Sequence, residues 1–216
     1  MMSALALGTQ AQDAPRFRLA VNGGYAYRLG KIASGISGET RDYMKRLKSG
    51  LNISADAQYF FSEEWGAGLK YARFQSSGSG VMPVQTPNGV QRGNVSDNIA
   101  ISFYAASMGG RVFLTSDDSQ AFHASLSLGY LRYHDKGMAA NRPVELTGGT
   151  MGSGVDLGYD IRLVRKLYAG AQLSYIGGVL SSYNQSVDGA TTRVDLKDNK
   201  ENLGYLSITA GLRLNL

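Results

Sequence analysis

The sequence LSITAGLRLNL (206–216) alternates apolar and polar side chains up to the last residue. A period of two over this length indicates a β-strand with one apolar face and one polar face. Because chain ends usually fray, alternation that persists to the end predicts a strand that is paired along its whole length. The apolar face consists of Leu206, Ile208, Ala210, Leu212, Leu214 and Leu216, and the polar face includes Ser207, Thr209, Arg213 and Asn215.

Seven further stretches alternate in the same way, so the sequence predicts eight strands. They are residues 16–30, 51–60, 65–74, 99–114, 121–133, 150–164 and 166–177. Long connections rich in Gly, Ser and Asn alternate with short links. The long ones are 31–50, 75–98, 134–149 and 178–202, and the short ones are 62–64, 115–120 and the turn at Val164-Arg165. Long loops are therefore expected at one end of the molecule and short turns at the other.

Composition excludes several classes of protein. The sequence has no run of about 18 apolar residues, so no transmembrane helix is expected, although β-strands of a membrane barrel escape that test. It contains no Cys and two His, which leaves no ligand set for a structural metal. The formal net charge of +5 is spread along the chain and predicts no nucleic-acid partner.

The first residues, MMSALALGTQAQ (1–12), resemble the end of an export signal. An apolar stretch precedes Thr9-Gln10-Ala11, which has small residues at the positions that a signal peptidase reads. We expect residues 1–11 to be a partial signal peptide and residues 12–216 to form one exported domain. The alternative is an ordinary flexible N-terminus.

Period two does not by itself distinguish a membrane barrel from a lipocalin-like cup, because the two differ in which face points inward. The polar face is crowded with Gly and Ser, which a narrow bore needs and a water-exposed surface does not. That face also carries charges of both signs, which are tolerated in a confined interior when they are paired. The predicted charge network of the bore comprises Arg16, Arg18, Asp56, Lys70, Arg111, Asp156, Asp160, Arg162 and Arg213. The alternative is that these groups are solvated surface charges.

Aromatic residues of the eight stretches fall into two groups. One group lies near the long loops (Tyr25, Tyr27, Tyr71, Tyr104, Tyr130, Tyr175) and the other near the short turns (Phe17, Tyr59, Trp65, Phe113, Phe122), with Phe113 on the polar side. Two such bands are typical of the two interfaces of a bilayer. With the apolar face toward lipid, the last strand must pair with the first, because an open sheet edge does not occur in hydrocarbon.

The pattern over residues 16–216 predicts an all-β fold, an eight-stranded antiparallel up-and-down transmembrane β-barrel. It resembles the small outer-membrane barrels of the OmpA transmembrane domain and OmpX type. This resemblance implies location in the bacterial outer membrane, contact with its lipids and lipopolysaccharide, and insertion by the barrel-assembly machinery. Members commonly end in an aromatic residue that this machinery reads, whereas this chain ends in Leu216. Several stretches exceed the 9–11 residues that a bilayer requires, so the sheet is expected to rise above the membrane on the loop side.

The expected function is that of a non-enzymatic structural, adhesive or surface-binding barrel with a plugged bore and no cofactor. Its specificity, including any extracellular ligand, would reside in the four long loops. The basic loop 31–50 is predicted to contact lipopolysaccharide phosphates. The residues concerned are Lys31, Arg41, Lys45, Arg46 and Lys48. The alternative is that these side chains are only solvated and bind no phosphate.

Two alternatives remain open from the sequence. His123 and Ser125 match the His-x-Ser spacing of a lipid A deacylase that resembles these barrels, and residues two apart on a strand share a face. The pair is expected near a short turn and on the bore side, whereas a lipid A hydrolase needs its nucleophile at the outer leaflet. The second alternative is a soluble lipocalin-like carrier.

Overall fold

The computed structural model describes residues 15–32, 38–86, 89–139, 142–197 and 200–216. The expected signal remnant, residues 1–11, lies outside these ranges. The described residues form one helix, α1 (Gly38–Leu47), and a set of β-strands. The strands are β1 (Phe17–Arg28), β2 (Ser49–Phe60), β3 (Trp65–Thr86), β4 (Gly89–Phe113), β5 (Gln120–Ala139), β6 (Arg142–Val164), β7 (Leu167–Leu180), β8 (Ser182–Val187), β9 (Ala190–Asp195), β10 (Glu201–Asn202) and β11 (Tyr205–Asn215). Within the described ranges, no helix is both long enough and apolar enough to cross a membrane.

Eight antiparallel strands close into a ring. Strands β1 to β7 pair in chain order, and β11 pairs with β7 on one side and with β1 on the other. The closing pairs run from Arg18↔Asn215 to Arg28↔Tyr205. Since every neighbour in the ring is antiparallel, the predicted eight-stranded up-and-down barrel is confirmed. The three predicted short links are also present, between β2 and β3, β4 and β5, and β6 and β7.

At membrane level, the apolar face of every ring strand points outward and the polar face points into the bore. Ile208 and Leu212 are 67% and 53% exposed, whereas Arg213 on the opposite face is 0% exposed. The same holds around the ring, where the exposed aliphatic residues include Val21, Leu51, Leu69, Met108, Leu126, Leu128, Met151 and Leu173. Each such side chain gains about 1.5–3 kcal/mol on leaving water. This arrangement rules out the lipocalin-like alternative, in which the apolar face lines the interior.

Aromatic side chains border the exposed apolar belt at both ends. Near the short turns, Phe17 and Tyr59 contact each other with ring centroids 5.0 Å apart, and Trp65 and Phe122 are also exposed. At the other end, Tyr71 and Tyr104 are 5.2 Å apart, and Tyr25, Tyr27, Tyr130 and Tyr175 are exposed beside them. The two predicted bands are therefore present. Phe113 points into the bore, as its position in the alternation indicated.

The wall of the barrel is much taller on one side. Strands β3, β4, β5 and β6 have 22, 25, 20 and 23 residues, whereas β1, β2, β7 and β11 have 12, 12, 14 and 11. The hairpin β8–β9 extends the tall side by pairing with the upper part of β6. We call this extension the outer sheet; it comprises 76–86, 89–98, 134–139, 142–148, 182–187 and 190–195. At about 3.3 Å per residue and a tilt near 45°, its ten or so extra residues rise roughly 20–25 Å above the membrane.

The predicted long loops 75–98, 134–149 and 178–202 are thus wrong in form, because their described residues are mostly strand. The first of the predicted loops, 31–50, contains α1. Tyr43 and Leu47 on one face of α1 are buried against β3, where Gly78 leaves room for them. A Cβ at Gly78 would lie 3.0 Å from Leu47 and 3.3 Å from Tyr43. The helix therefore covers the outer mouth of the barrel.

Candidate functional site

The bore contains a lower charged layer close to the short turns. Arg18 donates two hydrogen bonds to Asp160, at 3.2 and 2.9 Å, and Arg213 forms an ion pair with the other carboxylate oxygen at 2.8 Å. Arg213 also donates to the carbonyl oxygen of Gly170 at 2.9 Å. All three charged side chains are buried. The carboxylate of Asp160 therefore binds the guanidinium groups of Arg18 on β1 and Arg213 on β11, the two strands that close the ring.

An upper charged layer lies next to it. The ammonium of Lys70 is 3.0 Å from Asp156 and 3.2 Å from Asp56. Ser125 and Gln172 each donate a further hydrogen bond to Asp156, both at 3.1 Å. Together the two layers contain three cations and three carboxylates, so the formal charges of the two layers balance. Buried charges are tolerated when they are paired and hydrogen-bonded in this way.

Six of the nine residues predicted for this network belong to the two layers, and three lie elsewhere. Arg111 is buried, but it packs 3.8 Å over the Phe60 ring and donates to the carbonyl oxygen of Glu63 at 2.9 Å. Arg162 pairs at 3.1 Å with Asp117 in the short turn between β4 and β5. Arg16 is exposed just before β1. All three residues lie within two positions of a strand end. Alternation assigns a residue to a face, but it does not show where the wall of the barrel stops.

Above the charged layers the interior changes character. Inward-facing apolar residues from six ring strands pack together with Tyr43 and Leu47 of α1 into a buried core. This apolar core includes Phe74, Ile101, Phe103, Leu131, Ile176 and Tyr205, each fully buried. Sequence reasoning missed this core. The signal was present in IAISF (99–103), where Ile99, Ile101 and Phe103 are apolar although they share the face that is polar further along the strand, at Ser107 and Arg111.

A pocket of about 320 Å³ lies at the outer mouth, between α1, the end of β1 and the inner faces of β4 and β5. Tyr43 donates to Asp97 at 2.7 Å, Tyr133 donates to Asp135 at 3.2 Å, and Arg28 pairs with Glu201 at 3.0 Å. Burial, reinforced by the charge of Asp97, raises the pKa of Asp135 to about 6. Burial likewise raises the pKa of Tyr43, so its hydroxyl stays a donor.

The basic residues predicted to contact lipopolysaccharide are spread over this mouth. Arg41, Lys45 and Arg46 are exposed on α1, and Lys45 pairs at 3.2 Å with Asp42 on the same helix. Lys48 lies 4.9 Å over the ring of Tyr27, which is part of the aromatic band. Lys31 lines the mouth pocket. Among the five, Lys48 is placed beside the aromatic band, and contact with lipopolysaccharide remains a prediction.

His123 and Ser125 both point into the bore and are buried. The Nε2 atom of His123 lies 2.7 Å from Oε1 of Gln58, and Ser125 donates to Asp156. Each side chain therefore has a partner in the polar interior, separated from lipid by the barrel wall.

The fold matches solved outer-membrane proteins at very low sequence identity. A major outer membrane protein from Thermus thermophilus aligns with a TM-score of 0.59 and 8% identity, over 93% of this chain and 99% of that chain. OprG from Pseudomonas aeruginosa aligns with a TM-score of 0.57 and 13% identity, over 94% and 98%. The outer membrane protease OmpT from Escherichia coli aligns with a TM-score of 0.52 and 6% identity, over 93% and 97%. Neither a protein family nor a curated protein sequence matches this chain.

These likenesses establish the fold, which is that of the outer-membrane β-barrels. They do not extend to activity, since one of the three proteins is a protease and the other two are described only as membrane proteins.

Proposed function

We propose that the protein is a non-enzymatic barrel of the bacterial outer membrane that conducts no solute and acts through its external surface. The observation that carries this proposal is the double closure of the bore. Two ion-paired layers fill it at membrane level, and an apolar core sealed by α1 fills it above. An eight-stranded barrel filled by its own side chains has no continuous water path. Structural, adhesive or binding activity then falls to the outer sheet and α1, which face outward.

Embedding in a membrane is supported by the exposed aliphatic belt between two aromatic bands. A soluble protein would expose such a surface to water at a high cost in free energy. The long extensions all lie at one end and the short turns at the other, as in barrels inserted from the periplasm. Lipids, lipopolysaccharide and the barrel-assembly machinery are the partners that this location requires.

The location is tested by fractionating a Gram-negative host that expresses the chain with a signal peptide. We expect the protein in the outer-membrane fraction, and we expect its folded form to migrate differently on a gel before and after boiling. Recovery from the soluble periplasm, with mobility unaffected by boiling, would contradict membrane embedding.

Closure of the bore is tested separately in planar bilayers. The purified barrel is expected to give no steady conductance, with a trimeric porin in the same bilayers as the positive control. A stable open current would show that the interior conducts and would overturn the proposal of a closed barrel.

The lipid A hydrolase alternative is tested through the same preparation. The hydrogen bonds of His123 to Gln58 and of Ser125 to Asp156 support a packing role for both side chains. Incubation with lipid A should release no fatty acid. Release that disappears in Ser125→Ala, while the folded form is retained, would establish an enzyme instead.

A further inference from the structure

The outer wall carries ordered rows of residues at the upper edge of the apolar belt. Strand register places Tyr71, Tyr104 and Tyr130 side by side across β3, β4 and β5. On the same outer face, the next row toward the outer sheet contains Arg73, Ser102 and Arg132 on the same three strands. Below the tyrosines the corresponding row is apolar, with Leu69, Ala106 and Leu128. The wall therefore passes from aliphatic to phenolic to cationic within three rows.

The two arginines in this row have no carboxylate partner among the described residues. Ser102, the small residue between them, is buried, and the backbones of the two arginines are two strands apart, or about 10 Å. The nearest acidic group on this face in the register is Glu145, two rows further out, and it is already engaged by His134 at 2.6 Å. Two guanidinium-bearing side chains without a carboxylate partner thus lie on the outer face, one on each side of Ser102.

A polar groove adjoins Arg132 on the side of β6. It has a volume of about 500 Å³ and is lined by Tyr130, Thr147, Gly148, Gly149, Asn184 and Arg193, among others. Tyr130 occupies the space that a side chain at Gly149 would fill, so the phenol forms the membrane-side edge of the groove. The Arg193 guanidinium is partly neutralised by Asp195 at 3.4 Å. Hydroxyl, amide and guanidinium groups therefore surround a space that opens sideways, directly above the lipid-facing belt.

We propose that Arg73 and Arg132 bind a phosphate group of a membrane glycolipid in the outer leaflet, with the sugar of its headgroup in the adjoining groove. This inference rests on the proposed membrane location and names the lipid chemistry that the outer wall recognises. Guanidinium groups bind phosphate oxygens through paired hydrogen bonds. Tyrosines mark the interface between acyl chains and headgroups, so a cationic row immediately beyond them lies at the depth of lipid phosphates.

A membrane lipid suits the geometry better than a free phosphate ion does. The two arginines lie on the same outer face as the row of Leu69, Ala106 and Leu128, along which acyl chains of the same molecule would run. A free ion would use the arginines and leave both the groove and the apolar row without a role.

The test is native mass spectrometry of the folded barrel with bis-phosphorylated lipid A and with the same lipid after removal of both phosphates. The double variant Arg73→Gln/Arg132→Gln is expected to lose at least tenfold in affinity for the phosphorylated lipid. The matched control is Arg92→Gln/Arg142→Gln, which removes the same charge from exposed arginines high on the outer sheet. We expect this control to bind within about twofold of the wild type. Heat-modifiable mobility confirms that each variant is folded.

A second variant, Ser102→Glu, keeps both arginines and places a carboxylate between them. It is expected to show the same loss, and it keeps the proposal testable if the double variant does not fold. Equal losses in the control and the double variant would indicate general charge attraction and overturn the site. Displacement of lipid A by millimolar inorganic phosphate would indicate a free-anion site and overturn the lipid assignment. If the wild-type barrel fractionates with the outer membrane but does not bind the phosphorylated lipid, the arginine site is wrong and the proposed membrane location still stands.

Discussion

Phe17 and Leu216 exchange two backbone hydrogen bonds, with the amide of Phe17 2.9 Å from the carbonyl oxygen of Leu216 and the reverse bond at 2.8 Å. This reciprocal pair joins the start of β1 to the residue after β11 and completes the ring at its lower edge. The register then continues through Leu19↔Leu214 to Val21↔Leu212. The alternation continues to Leu216 because β11 is paired with β1 along its whole length, at the seam where the barrel closes.

Breaking this seam should prevent folding. Leu212 pairs with Val21 on one side and with Ala169 on the other, and proline there removes a ladder hydrogen bond in a strand that has no free edge. We expect Leu212→Pro to lose the heat-modifiable folded form and to be degraded. Leu216→Phe is the control, because it retains the two backbone bonds to Phe17, and it should fold at least as well as the wild type. A folded Leu212→Pro barrel would show that closure does not depend on this seam.

The lower charged layer should depend on its single carboxylate. Asp160→Asn leaves the buried guanidinium groups of Arg18 and Arg213 without a counter-charge, and such a loss typically costs about 3–5 kcal/mol. Urea unfolding in lipid vesicles would measure the change in the free energy of unfolding. The rim pair of Arg162 with Asp117 is partly exposed, so Arg162→Gln should cost less than about 1 kcal/mol. Similar costs for the two variants would mean that the interior is far better hydrated than its burial indicates.

The mouth pocket should make stability depend on pH. Since burial raises the pKa of Asp135 from 3.8 to about 6, the folded state binds the proton more tightly than the unfolded chain. The carboxyl is therefore tolerated at acidic pH, where it is protonated in both states, and its cost develops as the pH rises through the folded-state pKa. Asp135→Asn should stabilise the protein at pH 7.5 and change little at pH 4, as measured by thermal unfolding.

Asp117 provides a control of opposite sign. Hydrogen bonds from Ser119 and Thr115 lower its pKa, so Asp117→Asn should bring no gain in stability at pH 7.5. If Asp135→Asn is instead destabilising at pH 7.5, its hydrogen bond from Tyr133 outweighs the cost of burying the charge.

The packing of α1 against β3 should be disrupted by a branched side chain at Gly78. A valine there would meet Leu47 and Tyr43 and should displace the helix while leaving the membrane-level ring intact. Trypsin cleavage after Lys45 and Arg46 would then accelerate, although boiling would still shift the mobility of the barrel on a gel. Gly23→Val is the control, since no atom lies within 4 Å of a Cβ built at Gly23. Unchanged protection of Lys45 in Gly78→Val would show that α1 is held by other contacts.

The sequence predicted the part of the fold where the two faces differ in chemistry. Ile208 and Arg213 could be assigned to opposite faces because a bilayer on one side and a narrow bore on the other demand opposite side chains. The outer sheet has water on its outside and packs only partly against the apolar core on its inside, so residues such as Ser96 and Thr147 carry no alternation that reveals a strand. The helix α1 was hidden for another reason, because its buried face is reduced to Tyr43 and Leu47, one turn apart.

The charged site was predicted in composition but not in its pairing. Arg18 and Asp160 are 142 positions apart, and they meet because the ring closes with a particular stagger between strands. That stagger is a property of the whole sheet. The arginine row at Arg73 and Arg132 escaped notice for the same reason, since it exists only once three strands are placed in register.

The one-sided height of the wall has a mechanical consequence. The strands that reach the outermost tips of β3–β4 and β5–β6 are the same strands that cross the membrane, with no hinge between the two parts. Tension applied to a tip would act as shear on the backbone hydrogen bonds between neighbouring strands. It would reach the embedded ring on one side, away from the barrel axis. A sideways pull on the taller flank would therefore load the longest runs of paired backbone in the molecule.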